Sequence, residues 1–350
     1  MIVLCGAQHA EPTVPRALRE LGVKGPVAMV AAGWQEREGE PGTVADPGAP
    51  AVELALHRRG EQVFAGDAEL AAAYKARQLK LKHMQDAYRV RLEHAAQAAR
   101  AVAVRSADPG LAAEEATASL ELIRHIDRDH GVRCRAVHAA FEAEVRPRAR
   151  RVLARHLDEL RRAIEPTDAI VIAGGHVAVL LNRLRLFGIA ELVGARPIVA
   201  WSAGAMALTD RVVLFHDDPP HGQAISEVLD AGLGLARDLV VLPEPRLRLH
   251  LDDAMRVGEM AQRYAPATCV ALDHGAQVWV DGGRAIRASS AQRLDLDAPD
   301  RVGELAQRYA PAACVALDHG AQIWVDGGRA VRAVLAQRLD PAGTVAGWSP

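Results

Sequence analysis

Short apolar runs alternate with stretches of helical periodicity through residues 1–66 and again from 166 onward, while residues 67–165 carry a helical pattern alone. Residues 2–5 and 26–32 are apolar runs that flank a helical stretch at 14–21, which predicts a β-α-β opening with parallel strands. Residues 33–38 follow at a strand end, where open sheets hold their ligands, so Trp34 and Glu36 are candidates for lining a site. A surface connection is the plainer reading of such a loop. A Pro/Gly/Asp-rich loop is expected at 39–50 and a further short strand at 52–57.

From 67 to 106 the chain is rich in Ala, Lys, Arg, Gln and Leu and has no Gly or Pro. A single helix of about 60 Å is expected, at ~1.5 Å per residue. Leu81, Met84, Tyr88, Leu92, Ala95, Ala99 and Val102 step by three or four, the seam of an antiparallel helix pair or a coiled coil. Asp108, Pro109 and Gly110 mark a turn, helical pattern resumes over 111–130 and 136–164, and Pro147 marks a break or kink. This segment reads as a helical insertion that packs on itself as an antiparallel arm, its seam open to self-association as a homodimer. Its histidines (His83, His94, His125, His130, His138, His156) show no His-x-x-x-His spacing, so no helical metal site is expected.

The candidate chemistry lies between 168 and 217, in two successive strand-turn-helix units. Residues 169–173 are a β-branched apolar run, Gly174 and Gly175 break it, and 176–186 follow with apolar residues at helical spacing. In the second unit 197–201 is the strand, Ser202 the turn, and 203–208 the start of a helix. That is the layout of a nucleophile elbow, which needs small residues because strand and helix backbones close on the serine from both sides. Ala200, Ala203, Gly204 and Ala205 meet that need. The glycine turn at the end of the neighbouring strand is placed to aim N–H groups at the oxyanion formed when Ser202 attacks a carbonyl. Two ordinary strand-to-helix turns of a parallel sheet are the bland alternative.

The segments Ala-Gly-Gly-His (173–176) and Ala-Trp-Ser-Ala-Gly-Ala (200–205) resemble the serine peptidase family of dipeptidase E and cyanophycinase, which has a class I glutamine amidotransferase-like fold. The resemblance is best over 168–283 and thinner over the first 66 residues. It implies Ser202 as nucleophile, Asp217 as orienting acid, and Gly174, Gly175, His176 and Ala203 as the oxyanion and substrate-binding set. The family's histidine would fall after Pro243, where this chain has Glu244. Three substitutes for the base remain open: His221 on a loop after two prolines, His250, and Glu244 itself. The activity implied is hydrolysis of short peptides or related amides without a cofactor. A non-catalytic protein that binds a peptide or partner is the rival reading.

Composition narrows this further. Half of the 350 residues are hydrophobic, enough for a substantial core, and a net charge of −2 gives no reason to expect nucleic acid or an anionic membrane as partner. The opening residues lack the positive region of a signal peptide and no run reaches a membrane span, so a cytoplasmic location is the default expectation. Cys5, Cys134, Cys269 and Cys314 form no Cys-x-x-Cys pair and none lies at the elbow, which disfavours a cysteine nucleophile. His216, Asp217, Asp218 and His221 have ligand-type side chains, but neighbours at a strand end face opposite ways, so no metal is expected there.

Residues 256–295 and 301–340 are near-identical copies, each reading as helix, strand, strand, Asp-Gly-Gly turn, strand. Two copies are too few for a solenoid. The expected architecture is an α/β domain with a mostly parallel sheet sandwiched by helices. It is built from 1–66 and 166–295, interrupted by the insertion at 67–165 and extended by the duplicated unit at 296–350.

Overall fold

The computed structural model describes residues 1–9, 11–40, 42, 44–105, 108–216, 225–249, 254–289, 314–326, 329–339 and 345–347. In chain order the opening segment forms β1 (Ile2–Cys5), α1 (Val14–Glu20), β2 (Val27–Val30), β3 (Ala51–Glu53) and α2 (Leu56–Gly66). The insertion forms α3 (Ala68–Arg105), α4 (Pro109–Val145) and α5 (Arg151–Ile164). Then come β4 (Ala169–Ile172), α6 (Val177–Leu186), α7 (Ile189–Leu192), β5 (Ile198–Trp201), α8 (Ala203–Leu208), β6 (Arg211–Leu214), β7 (Glu227–Ala231), β8 (Leu239–Pro243) and α9 (Pro245–Arg248). The last part holds α10 (Ala254–Tyr264), β9 (Thr268–Leu272), β10 (Gln277–Asp281), β11 (Arg284–Ser289), β12 (Cys314–Asp326), β13 (Arg329–Leu339) and β14 (Val345–Gly347).

The main sheet turns on β1. On one side the order β1-β5-β4-β2-β3 is parallel, with Cys5 level with Trp201; on the other, β10-β11-β12-β13-β14 continues it antiparallel. The mixed α/β class with a parallel block of strands is therefore as the sequence pattern implied. Strands β1, β2, β4 and β5 are apolar throughout because helices cover both faces. Alternate residues feed two cores: Leu4, Ala28, Val30, Ile170, Ile172 and Ala200 on one face, and Val3, Cys5, Val27, Met29, Val171 and Trp201 on the other, where α1 packs. Two smaller sheets, β6-β7 and parallel β8-β9, lie beside it. Among the described residues no helix is long and apolar enough to cross a membrane.

Local differences from the sequence reading have identifiable causes. The run at 52–57 is a strand only to Glu53, because Ala55 turns at φ 49° to open α2. Helix α4 runs unbroken through Gly131, whose missing side chain costs about 1 kcal/mol of helix propensity. The buried stripe Ile126, His130, Cys134 and Phe141 outweighs that cost. Asp108 caps α4 through the Leu111 amide at 2.8 Å, and the chain does break at Pro147, as expected.

The long helices pair with each other, and they are also anchored in the body. Met84, Tyr88, Leu92 and Ala95 of the seam are buried within the chain. Tyr88 donates its hydroxyl to Asp127 at 2.7 Å, and Asp127 accepts two bonds from Arg263 of α10, at 2.7 and 2.8 Å. Arg263 also reaches the Ser226 carbonyl at 2.6 Å, and the Val228 amide of β7 donates to the Tyr88 hydroxyl at 3.0 Å. A second junction joins His138 of α4 and Arg185 of α6 to Asp230 of β7, at 2.9 and 2.8 Å. The arm is thus fixed to both β7 and α10 by buried charges.

Breaking a buried pair by removing one partner typically costs about 3–5 kcal/mol, because the other charge stays behind without compensation. We expect Asp127→Asn to lower the melting temperature by several degrees, while Arg263→Met combined with Asp127→Leu loses less than the sum of the single changes. Acid should act at the same junctions. Burial holds both His130 and His138 below the ordinary histidine value of 6.5. A folded-state value below the unfolded one means stability is whole above about pH 6.5 and falls as the unfolded chain takes up protons below it. Chemical denaturation at pH 7.5 and pH 5.5 should show the lower midpoint at pH 5.5, and His138→Gln should shrink that difference.

Candidate active site

Ser202 caps the amino end of α8 with φ 48° and ψ −119°, a backbone conformation that only glycine adopts readily. Its amide donates to the Cys5 carbonyl at 3.2 Å, tying the elbow to the end of β1. The small residues around it are required by contact. A Cβ on Gly204 would sit 2.5 Å from the Ile172 carbonyl oxygen, and one on Gly174 would lie 3.1 Å from the Ser202 Cβ. Ser202 is half-buried, and among the described residues its hydroxyl has no hydrogen-bond partner. The hydroxyl is therefore available to an incoming carbonyl.

Gly175, at φ 104°, lies against the Gly33 backbone, where a Cβ would fall 2.5 Å from the Gly33 carbonyl carbon. Among the described residues the N–H groups of Gly175 and Ala203 donate to nothing, as oxyanion donors should in the resting state. His176 is exposed at this turn; its amide donates to the Gly33 carbonyl at 2.7 Å and its Nδ1 accepts from the Val179 amide, capping α6. Strain gathers along this same edge. Gln35 after β2, Ala55 after β3, Ser202 after β5 and Glu244 after β8 all hold positive φ without being glycine. Trp34 lies here half-buried, whereas Glu36 is exposed and 4.0 Å from His57.

Asp217, His221 and His250 fall outside the described residues. Glu244 is placed with φ 50° at the head of α9, between Pro243 and Pro245. Its Oε1 lies 4.0 Å from His9 Nε2 and its Oε2 3.5 Å from Arg248. Beside it the His9 and His274 rings meet edge to face at 4.4 Å, and His274 Nδ1 lies 3.3 Å from the Ala7 carbonyl. The donor atoms of His9, Glu244 and His274 all fall within 4.8 Å of one another. Glu244 thus lies between the His9 ring and the Arg248 guanidinium.

The loops after β1, β8 and β9 build this cluster. Gly6 packs so closely under Asp273 that a Cβ there would lie 1.8 Å from the Asp273 carbonyl oxygen. Covalent geometry through Cys5, Gly6 and Asp273 then puts the His274 amide within about 12 Å of the Ser202 amide. The sequence reading missed both histidines. The available signal was their position, since His9 comes four residues after β1 and His274 two after β9, at the strand ends where sites gather.

Cysteine chemistry is weak at this edge, because burial pushes the Cys5 thiol up to about 12 and leaves almost no thiolate at neutral pH. No protein-family model matches the chain, and no curated protein does. Function therefore rests on the geometry of the site.

A serine forced into a glycine conformation should store about 1 kcal/mol or more of strain. Ser202→Gly is expected to raise the denaturation midpoint, whereas Ser202→Ala, which keeps a Cβ, should leave it near wild type. Equal midpoints for all three proteins would mean that the elbow is not strained.

Proposed function

We propose that this protein is a serine hydrolase that cleaves the amide bond of short peptides or related small amides through an acyl-enzyme on Ser202. The reading makes it a relative of the dipeptidase E and cyanophycinase family. The observation that carries it is the strained Ser202, unpartnered among the described residues, together with the undonated N–H groups of Gly175 and Ala203 and a histidine-carboxylate cluster on the loops after β1, β8 and β9.

In this scheme the Ser202 hydroxyl attacks the amide carbonyl while its proton passes to His9, the histidine that already faces Glu244. Glu244 holds the imidazolium that forms, as the third member of a triad does. The N–H groups of Gly175 and Ala203 receive the oxyanion. His9 then returns the proton to the leaving amine, and water releases the acyl group by the same steps in reverse order. His274 packs edge-on against the His9 ring and limits its rotation. Glu244 thereby fills the acid's role, and the histidine comes from the loop after β1.

A fluorophosphonate probe should label the wild-type chain at Ser202 and leave Ser202→Ala unlabelled. General base catalysis is worth about 10²–10⁴-fold, so His9→Ala and Glu244→Gln should slow labelling by a factor in that range. Labelling that persists in Ser202→Ala would place the nucleophile elsewhere. Complete inertness of the wild type would favour the non-catalytic binding reading.

A further inference from the structure

We infer that His9, Glu244 and His274 form a binding site for one divalent transition-metal ion of the zinc class. The inference stands on these three side chains and does not depend on Ser202 acting as a nucleophile. Two imidazoles and a carboxylate are a known set for zinc, with a fourth position left open, whereas magnesium and calcium prefer oxygen ligands throughout.

The geometry is close to what a metal requires. Tetrahedral coordination with bonds of about 2.1 Å sets donor atoms about 3.4 Å apart. Here His9 Nε2 and Glu244 Oε1 are 4.0 Å apart, and all three donors fall within 4.8 Å. The remaining contraction falls to His9, whose side chain is 66% exposed. The other two are held. Glu244 sits between two prolines, with Arg248 on its Oε2, which leaves Oε1 as a single donor.

The surroundings resemble the outer shell of a metal site. A ligating histidine commonly donates its second ring nitrogen to a backbone carbonyl, which fixes the tautomer and leaves the other nitrogen's lone pair for the ion. His274 has that partner in the Ala7 carbonyl, at 3.3 Å from Nδ1. Next to it Asp273 is paired with Arg246 at 2.8 Å, which steadies the loop that presents the histidine. An ion bound here would occupy His9 and Glu244, so binding and the proposed proton transfer would compete for the same groups.

The test is titration of the full chain, first stripped with a chelator, with zinc by calorimetry and with cobalt by visible absorption. One ion per chain is expected, with a cobalt spectrum of low coordination number. His9→Ala, His274→Ala and Glu244→Gln should each weaken binding by about a hundredfold or more, beyond the loss usual for an outer-shell change. Ser202→Ala should bind as wild type does, which separates this site from the hydrolase reading. Zinc should raise the melting temperature of wild type and leave that of His9→Ala unchanged; His9 is exposed, so its loss should not disturb folding. No binding at about 100 μM zinc, or binding that survives both histidine changes, would overturn the inference.

Discussion

The Arg263–Asp127 pair is the constraint on which the arrangement of the molecule depends. A guanidinium and a carboxylate this deep are tolerable only with their remaining hydrogen-bonding capacity filled, and Tyr88 and the Ser226 carbonyl fill it. Four stretches of chain, from α3, α4, the segment before β7 and α10, must therefore meet in one geometry or leave a charge stranded. An apolar contact would accept a shifted helix, but a bidentate pair accepts little shift. The arm is thus a structural support, and β7 and α10 are held against it. From α10 the chain enters β9, so the support extends to the loop that carries His274.

A cost opposes that rigidity along the strand ends. Four non-glycine residues adopt positive-φ backbone there, each at a cost of about 1–3 kcal/mol, and the packing around them has to over-determine the turns. For the turns after β2 and β5 the sheet supplies it: β1, β2, β4 and β5 are buried on both faces, so these ends cannot shift to relax a turn. The glycines at 6, 33, 174, 175 and 204 bring those ends into near contact, where any side chain would overlap a neighbouring backbone or the serine. Stability is lost at one edge and regained in the core, the pattern expected where geometry serves chemistry.

What the sequence disclosed and what it hid follow from the range of each interaction. The elbow was legible because its pattern is local, a β-branched run, a serine, then Ala-Gly-Ala, although the backbone that crowds Gly204 is that of Ile172 on the neighbouring strand. Helix α3 was legible for the same reason, since composition and period set it without a partner. The burial of Tyr88 against Arg263 was not, because nothing within either helix signals an atom 175 positions away. Gly131 looks like a stop in the sequence, since propensity is felt locally while the packing of Ile126 and Phe141 that overrides it is not. The assembly of His9, Glu244 and His274 was invisible for the same reason: three loops supply one residue each, and only the pairing of β1 with β10 brings the first and last together.

That pairing also sets an order in time. Strand β1 is the first made, yet its hydrogen-bonding partners are Ile198–Trp201 on one side and Gln277–Asp281 on the other. During synthesis at about 5–20 residues per second, it waits some tens of seconds for the nearer strand and longer for the farther one. Until then His9 has neither Glu244 nor His274 beside it, and Gly6 has no carbonyl to pack under. The serine, the N–H groups of Gly175 and Ala203 and the histidine cluster therefore cannot exist as a set on a partly made chain, and most of the chain is made before they can come together.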